Sequence, residues 1–392
     1  MELLKRFGRI TAGVTLGLGL MAGAHTAAAQ DVVKLGFTGP LSGGAALYGK
    51  NTLTGIEMAV NEINQDGGLE VKGKKYKVEI VALDDKYSPS EAGINAKRLT
   101  QEHKTPVIFV PHSGGIFALQ AFNEQENFLI SAYTSIPTVT TRGNKLTVRI
   151  PPSFTGYMQP FTKAAMQRFG KKVAIANATH DYAKAWTKTF VPAWTAAGGE
   201  VVADNPMDYN KDTDYYSGVS KVLAAKPDVL FIGGASEPTG LVVKQARELG
   251  FKGGFIVMDQ AKLDEMAKVA GGLKALEGAV GTLPLIYDEN ERAQQFVKRF
   301  RDIYNRDPSS EMSLNYFAAH LFMEAMKQAG TTSDATAIRA NLAKALTTLP
   351  EQRNPHGYSE IDENGGLGAD TPVAQVIDGK IVAVRSSELM KQ

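Results

Sequence analysis

The run LSGGAALYGKN puts Gly44, Gly49 and Lys50 on the G-x-x-x-x-G-K frame of a phosphate-binding loop. The next position of such a loop offers a hydroxyl to magnesium, and Asn51 has none. VEIVALDD, Val78 to Asp85, could pass as the acidic partner strand, but the frame is incomplete and a nucleotide site is disfavoured. Metal chemistry fares no better. In DYNKDTDYYSG, Asp208, Asn210 and Asp212 imitate the first three ligands of a calcium loop. Thr213, however, stands where glycine makes the sharp turn, and Val219 where the bidentate glutamate belongs. These acids are expected instead to cap the helix starting near Tyr215, where unpaired amides and the helix dipole favour carboxylates. His103, His112, His180, His320 and His356 show none of the paired spacing of a zinc site. A covalent nucleophile at His112-Ser113 is disfavoured too, since neighbours on an emerging strand point to opposite faces and the frame is not G-x-S-x-G.

PHSGG suits another task. It ends the strand VIFV and opens a helix, so the Ser113 hydroxyl and the amides of Gly114 and Gly115 would meet where backbone donors lack partners. That is a cradle for a carboxylate, and an ordinary serine cap is the alternative. Trp186 and Trp194 lie eight apart on one helical face and read as core.

The elements that must position these groups alternate. Strand-like VVKLGF, KVEIVAL, VIFV and FLISAY are separated by helical patterns near Thr52–Gln65, Pro89–His103 and Ile116–Gln125, the order expected of parallel strands with helical crossovers. Gly67-Gly68 stops the first helix. A second series follows: VAIANA, a helix from about Ala183, EVVA, a helix near Tyr215–Ala225, VLFIGG, a helix near Thr239–Leu249, and FIVMD. Between the two, TVRIPPSFTG reads as a crossing strand. Helical stretches near Asn290–Tyr304, Met312–Ala329 and Ala335–Leu346 precede AQVIDGKIVAV, whose Asp378-Gly379 signals a hairpin.

The 392 residues suffice for two compact lobes. Lys5, Arg6 and Arg9 precede an apolar run, Ile10 to Ala24, and small residues end at Ala29, which is the pattern of a cleaved secretory signal. The run is shorter than the roughly 20 residues of a membrane span. Without cysteine, neither a lipid-modified anchor nor a disulfide is available. Removal of the signal leaves 40 basic against 40 acidic residues, so no charge imbalance argues for nucleic acid or an anionic membrane as partner.

From Val32 onward the chain resembles the periplasmic substrate-binding proteins of ABC transporters, in the type I, leucine/isoleucine/valine-binding class. The resemblance is carried by GFTGPLSGGAALYGKNTLTGIEMAVNEINQDGG, LDDKYSPSEA, PHSGG, ISAYTSIPTVT and DVLFIGGASEPTGLVVKQARELG. It implies an α/β fold of two Rossmann-like lobes joined by three crossover strands. The signal would occupy 1–29, the first lobe 31–152 and 284–362, and the second lobe 153–283 and 363–392.

The same resemblance implies a binding protein of the periplasm, not an enzyme and without cofactor. As a monomer it would close on a small amino acid, branched-chain or otherwise apolar, and hand it to an inner-membrane ABC permease. An aromatic acid, an amide or another small solute, or a sensory or chemotactic role, are the alternatives. Tyr48 would present its ring from the glycine-rich turn, with Lys50 merely solvated. Ser113, with Gly114, would hold the ligand carboxylate beside the loop Tyr133, Thr134 and Ser135. Tyr182 would face them from the second lobe, Ser236 would sit at another cleft edge, and Asp259 would pair with the ligand ammonium. A buried zwitterion needs donors at one end and an anionic acceptor at the other. Asp259 capping the following helix is the alternative. A disulfide carried by some relatives maps here to Tyr87 and His112, so packing must hold that rim, and His112 could reach the ligand.

Overall fold

A computed structural model of the chain describes residues 31–368 and 372–389. The secretory signal expected at 1–29 lies outside the described residues. Among the described residues, fifteen strands form two large sheets and one small ribbon. β1 (Asp31–Gly39), β2 (Leu69–Val71), β3 (Lys74–Asp84), β4 (Val107–Val110), β5 (Leu129–Ala132) and β6 (Thr147–Arg149) assemble in the order β2-β3-β1-β4-β5-β6. All pairs are parallel except β2 with β3. The second sheet contains β7 (Lys172–Ile175), β8 (Glu200–Asp204), β9 (Val229–Ile232), β10 (Gly254–Val257) and β11 (Ala279–Thr282). β12 (Glu360–Ile361) pairs with β13 (Leu367–Gly368), while β14 (Val373–Ile377) and β15 (Lys380–Val384) complete the second sheet in the order β15-β14-β11-β10-β9-β7-β8.

Four-residue runs such as VIFV, LISA, VLFI and GFIV are buried along their whole length. Helices cover both faces of such strands, which is why they read as unbroken apolar runs without alternation. The chain passes between sheets at Ile150–Ser153, again after β11, and a third time beyond Gly368. Leu367 is buried in the first lobe's core and Gly366 bridges to Arg149, so the ribbon β12–β13 stays with the first lobe. The return to the second lobe, expected at 363, therefore comes later. The helices Glu291–Tyr304 and Ser310–Ala329 also belong to the first core.

Two further expectations change. The helix Met158–Phe169 was not foreseen; Pro160 falls in its first turn, where a missing N–H costs nothing because those amides have no partner within the helix. The helix after the Asp208 run begins at Tyr216, and Asp214 Oδ1, not Asp208 or Asp212, accepts the Tyr216 N–H at 2.9 Å. Asp208 Oδ1 instead takes the amides of Asn210 and Lys211 at 3.1 and 3.3 Å, closing its own loop.

Candidate functional site

The carboxyl ends of parallel strands are where open α/β sheets offer room for ligands. Here the ends of β1, β4 and β5 face those of β7, β10 and β11 across a cavity of about 120 Å³. For scale, an apolar cavity of about 150 Å³ accepts benzene.

The first wall starts at the glycine-rich turn. A Cβ on Gly49 would sit 1.7 Å from the Pro40 carbonyl oxygen, so only glycine lets the helix Ala46–Gln65 begin this close to β1. That approach places Tyr48, whose hydroxyl donates to the Pro111 carbonyl at 2.8 Å and whose ring lies 5.8 Å from Tyr133. Lys50 is exposed, and Asn51 turns toward the other lobe. Beyond β4, Ser113 opens the helix Ser113–Gln120 and its hydroxyl is 3.4 Å from that of Thr134. Tyr133, Thr134 and Ser135 follow β5 and line the same wall.

The second wall carries Tyr182, in the first turn of the helix Asp181–Ala196, and Asp259, two residues after β10. Tyr182 and Ser135 hydroxyls meet at 2.8 Å across the cleft. Trp186 is core, as expected, yet its indole N–H also serves the site, donating to the Tyr182 hydroxyl at 3.0 Å and to Asp259 Oδ1 at 3.2 Å. The next helix, Leu263–Ala270, is entered through Lys262, so Asp259 is not its cap. Burial pushes the Asp259 carboxyl up to about 6, against the opposing pull of Ser135 and Lys262. A buried carboxylate without a cation resists ionisation, and an arriving ammonium would reverse that.

Tyr48, Ser113, Tyr133, Thr134, Ser135, Tyr182 and Asp259 thus share one cavity. Gly114 and Ser236 do not. Gly114 lines a groove at the outer rim, packed against Pro89. The Ser236 hydroxyl accepts the Lys262 N–H at 3.0 Å and donates to Glu265 Oε2 at 2.6 Å, a structural post behind the wall. The cradle at PHSGG is also narrower than expected, because the Gly115 N–H is taken by His112 Nδ1 at 3.0 Å. His112 Nε2 bonds Asp85 Oδ2 at 2.8 Å, so both ring nitrogens are committed and only the ring faces the cavity. That ring stacks on Tyr87 at 4.7 Å, which is the packing that stands at the rim.

A set of groups missed in the sequence locks the lobes together. Asn51 Nδ2 donates to Glu265 Oε1 at 2.9 Å, Gln260 Nε2 to the Tyr87 hydroxyl at 2.9 Å, and Lys262 Nζ faces Glu311 at 3.4 Å. Lys262 Nζ also donates to the carbonyls of Asp259 and Gln260 at 2.6 and 3.1 Å. Burial and the nearby Glu311 push the Glu265 carboxyl up to about 8. The cleft is closed.

Comparison with known proteins agrees with this architecture. The family model described as "Periplasmic binding protein" matches residues 32–380. A leucine-, isoleucine-, valine-, threonine- and alanine-binding protein of Pseudomonas aeruginosa is 26% identical over 86% of this chain and 88% of its own length. The Leu/Ile/Val-binding protein of Escherichia coli K12 is 25% identical over 76% of this chain and 80% of its own. Among solved structures, a leucine-binding protein from Thermotoga maritima superposes with a TM-score of 0.73 at 24% identity, covering 90% of this chain and 97% of that one. A solute-binding protein from R. palustris in complex with benzoate gives 0.75 at 20% identity, over 90% and 96%. The chain belongs to the periplasmic binding protein family, in the type I class of the leucine/isoleucine/valine-binding proteins.

Proposed function

We propose that this protein captures an α-amino acid between its lobes in the periplasm and presents the closed form to an inner-membrane ABC permease, without chemical change to the solute. The observation that carries this reading is the opposition of Asp259 on one wall to the hydroxyls of Ser113, Thr134 and Ser135 on the other. The hydroxyl wall receives the ligand carboxylate and Asp259 its ammonium, with Tyr48 and Tyr182 packed alongside. Contacts to both walls exist only when the lobes meet, so the ligand shifts the population toward the closed form, which Asn51–Glu265 and Lys262–Glu311 then hold. The amino-acid-binding relatives favour the same class of ligand. The signal-like run that ends at Ala29 supports a periplasmic location, and the equal numbers of acids and bases left after its removal give the chain no pull toward nucleic acid.

An aromatic acid lacking an amine is the second reading, favoured by the density of tyrosines along the walls. Isothermal calorimetry of ligand-stripped protein against amino acids and aromatic acids separates the two. Binding by an acid without an amine, and by no amino acid, would remove the role given to Asp259. Mass spectrometry of ligand recovered after incubation should return it unaltered.

A further inference from the structure

The cavity has polar groups on its hinge side that the zwitterion leaves unused. Tyr133 and Tyr358 are each 4% exposed and both line the cavity. Neither phenol has a hydrogen-bond partner among the described residues, and neither oxygen is sealed in the core, so both reach the cavity. Burial holds both in the neutral form, and Tyr358 adds to the upward push on Tyr133, which places the two within electrostatic reach of each other. His356 stands beside Tyr358, ring centres 5.6 Å apart, with Nε2 bonded to Ser313 Oγ at 2.8 Å. Burial pushes this imidazole down to about 4, so it is neutral at pH 7. Thr282 Oγ1, at the end of β11 on the opposite lobe but lining the same cavity, is buried without a partner among the described residues.

Leu283, Leu285 and Leu314 give the cavity its aliphatic surface. A wholly aliphatic side chain would satisfy those leucines and strip the phenols of water with nothing in return. One buried donor left unpaired weakens binding by about fivefold to a hundredfold. An anionic ligand end is disfavoured as well, because the hinge-side groups named above offer it no cation and Asp288 on the cavity wall repels it.

We propose that Tyr133 and Tyr358 set the specificity of the cleft, selecting a ligand whose end remote from its carboxylate carries a neutral hydrogen-bonding group, a carboxamide or hydroxyl, over the apolar isostere. This rests on the cavity being the ligand site and narrows the amino-acid reading, replacing the expectation of an apolar side chain.

The test is calorimetry with two shape-matched pairs, asparagine against leucine and 4-hydroxybenzoate against benzoate, on the wild-type protein and on Tyr358→Phe and Tyr133→Phe. Asparagine is expected to bind at least about tenfold tighter than leucine, and either substitution should shrink that ratio to about threefold or less by weakening asparagine more than leucine. Thermal melts of the variants check that both remain folded. Leucine binding as tightly as asparagine overturns the proposal, as does an equal loss for both ligands in both variants. If neither amino acid binds but an aromatic acid does, the amino-acid reading fails by itself, and the 4-hydroxybenzoate to benzoate ratio then decides the specificity by the same criterion. No binding by any of the four overturns both.

Discussion

Replacing Asp259 by Asn removes the charge opposite the ligand ammonium while keeping the shape of the wall. The carboxylate reaches Trp186 and Ser135 and lies in a cleft closed over it. Breaking such a buried pair costs about 3–5 kcal/mol, at least about a hundredfold in Kd. The des-amino analogue has no ammonium to lose, so its Kd should change by less than about threefold, the scale of a neutral hydrogen bond. The wild-type pH profile supplies a second reading. With its carboxyl pushed up to about 6, Asp259 binds an ammonium when ionised, so affinity is present above that value and fades as pH falls through it. The ionised fraction drops from about nine-tenths at pH 7 to about one-tenth at pH 5, a rise in Kd of about tenfold, and this acid limb should vanish in the Asn variant. Calorimetry at pH 5, 6 and 7 on both proteins provides the assay. Equal losses for the amino acid and its des-amino analogue, or an acid limb that survives in the variant, would refute the pairing.

Other consequences are independent of that pair. Asn51→Ala leaves a buried Glu265 oxygen unpaired only when the lobes meet, so affinity should drop about fivefold or more while the melting temperature of ligand-free protein stays within about two degrees. Ligand binding should change the fluorescence of Trp186 and not of Trp194, whose indole N–H bonds the Lys171 carbonyl at 3.1 Å; a signal retained in Trp186→Phe would contradict this. A Cβ on Gly55 would lie 2.1 Å from the Met312 carbonyl oxygen, and Gly55→Ala should destabilise the first lobe by about 1–3 kcal/mol in denaturant melts.

Where the physics is local, the sequence is a good guide. The Asp378-Gly379 turn joins β14 to β15 with Ile377 opposite Lys380, because that dipeptide tolerates the left-handed backbone of a two-residue hairpin. Apolar runs of four to nine residues became parallel strands, and the groups at their carboxyl ends, from Ser113 to Asp259, converged on one cavity because the sheet geometry brings those ends together. Interactions between distant segments left no trace in residue spacing. Asn51 and Glu265 are 214 positions apart, and Asn51 looked like a failed magnesium ligand until the lobes were seen to meet there. Tyr358 and His356 sit in a loop with no motif of their own, and only the fold carries them to the hinge side of the cavity. His112 shows the converse. Its place at the strand end suggested reach toward a ligand, but Asp85, 27 residues earlier, claims one nitrogen and the helix amide of Gly115 the other.

A crystal structure of the protein with its tightest-binding amino acid tests the central arrangement most directly. The expected result is a ligand nitrogen about 2.7–3.0 Å from the Asp259 carboxylate, with its carboxylate on the Ser113 and Thr134 hydroxyls. A ligand lodged outside this cavity, or one held there with Asp259 still bonded only to Trp186 and Ser135, would contradict it.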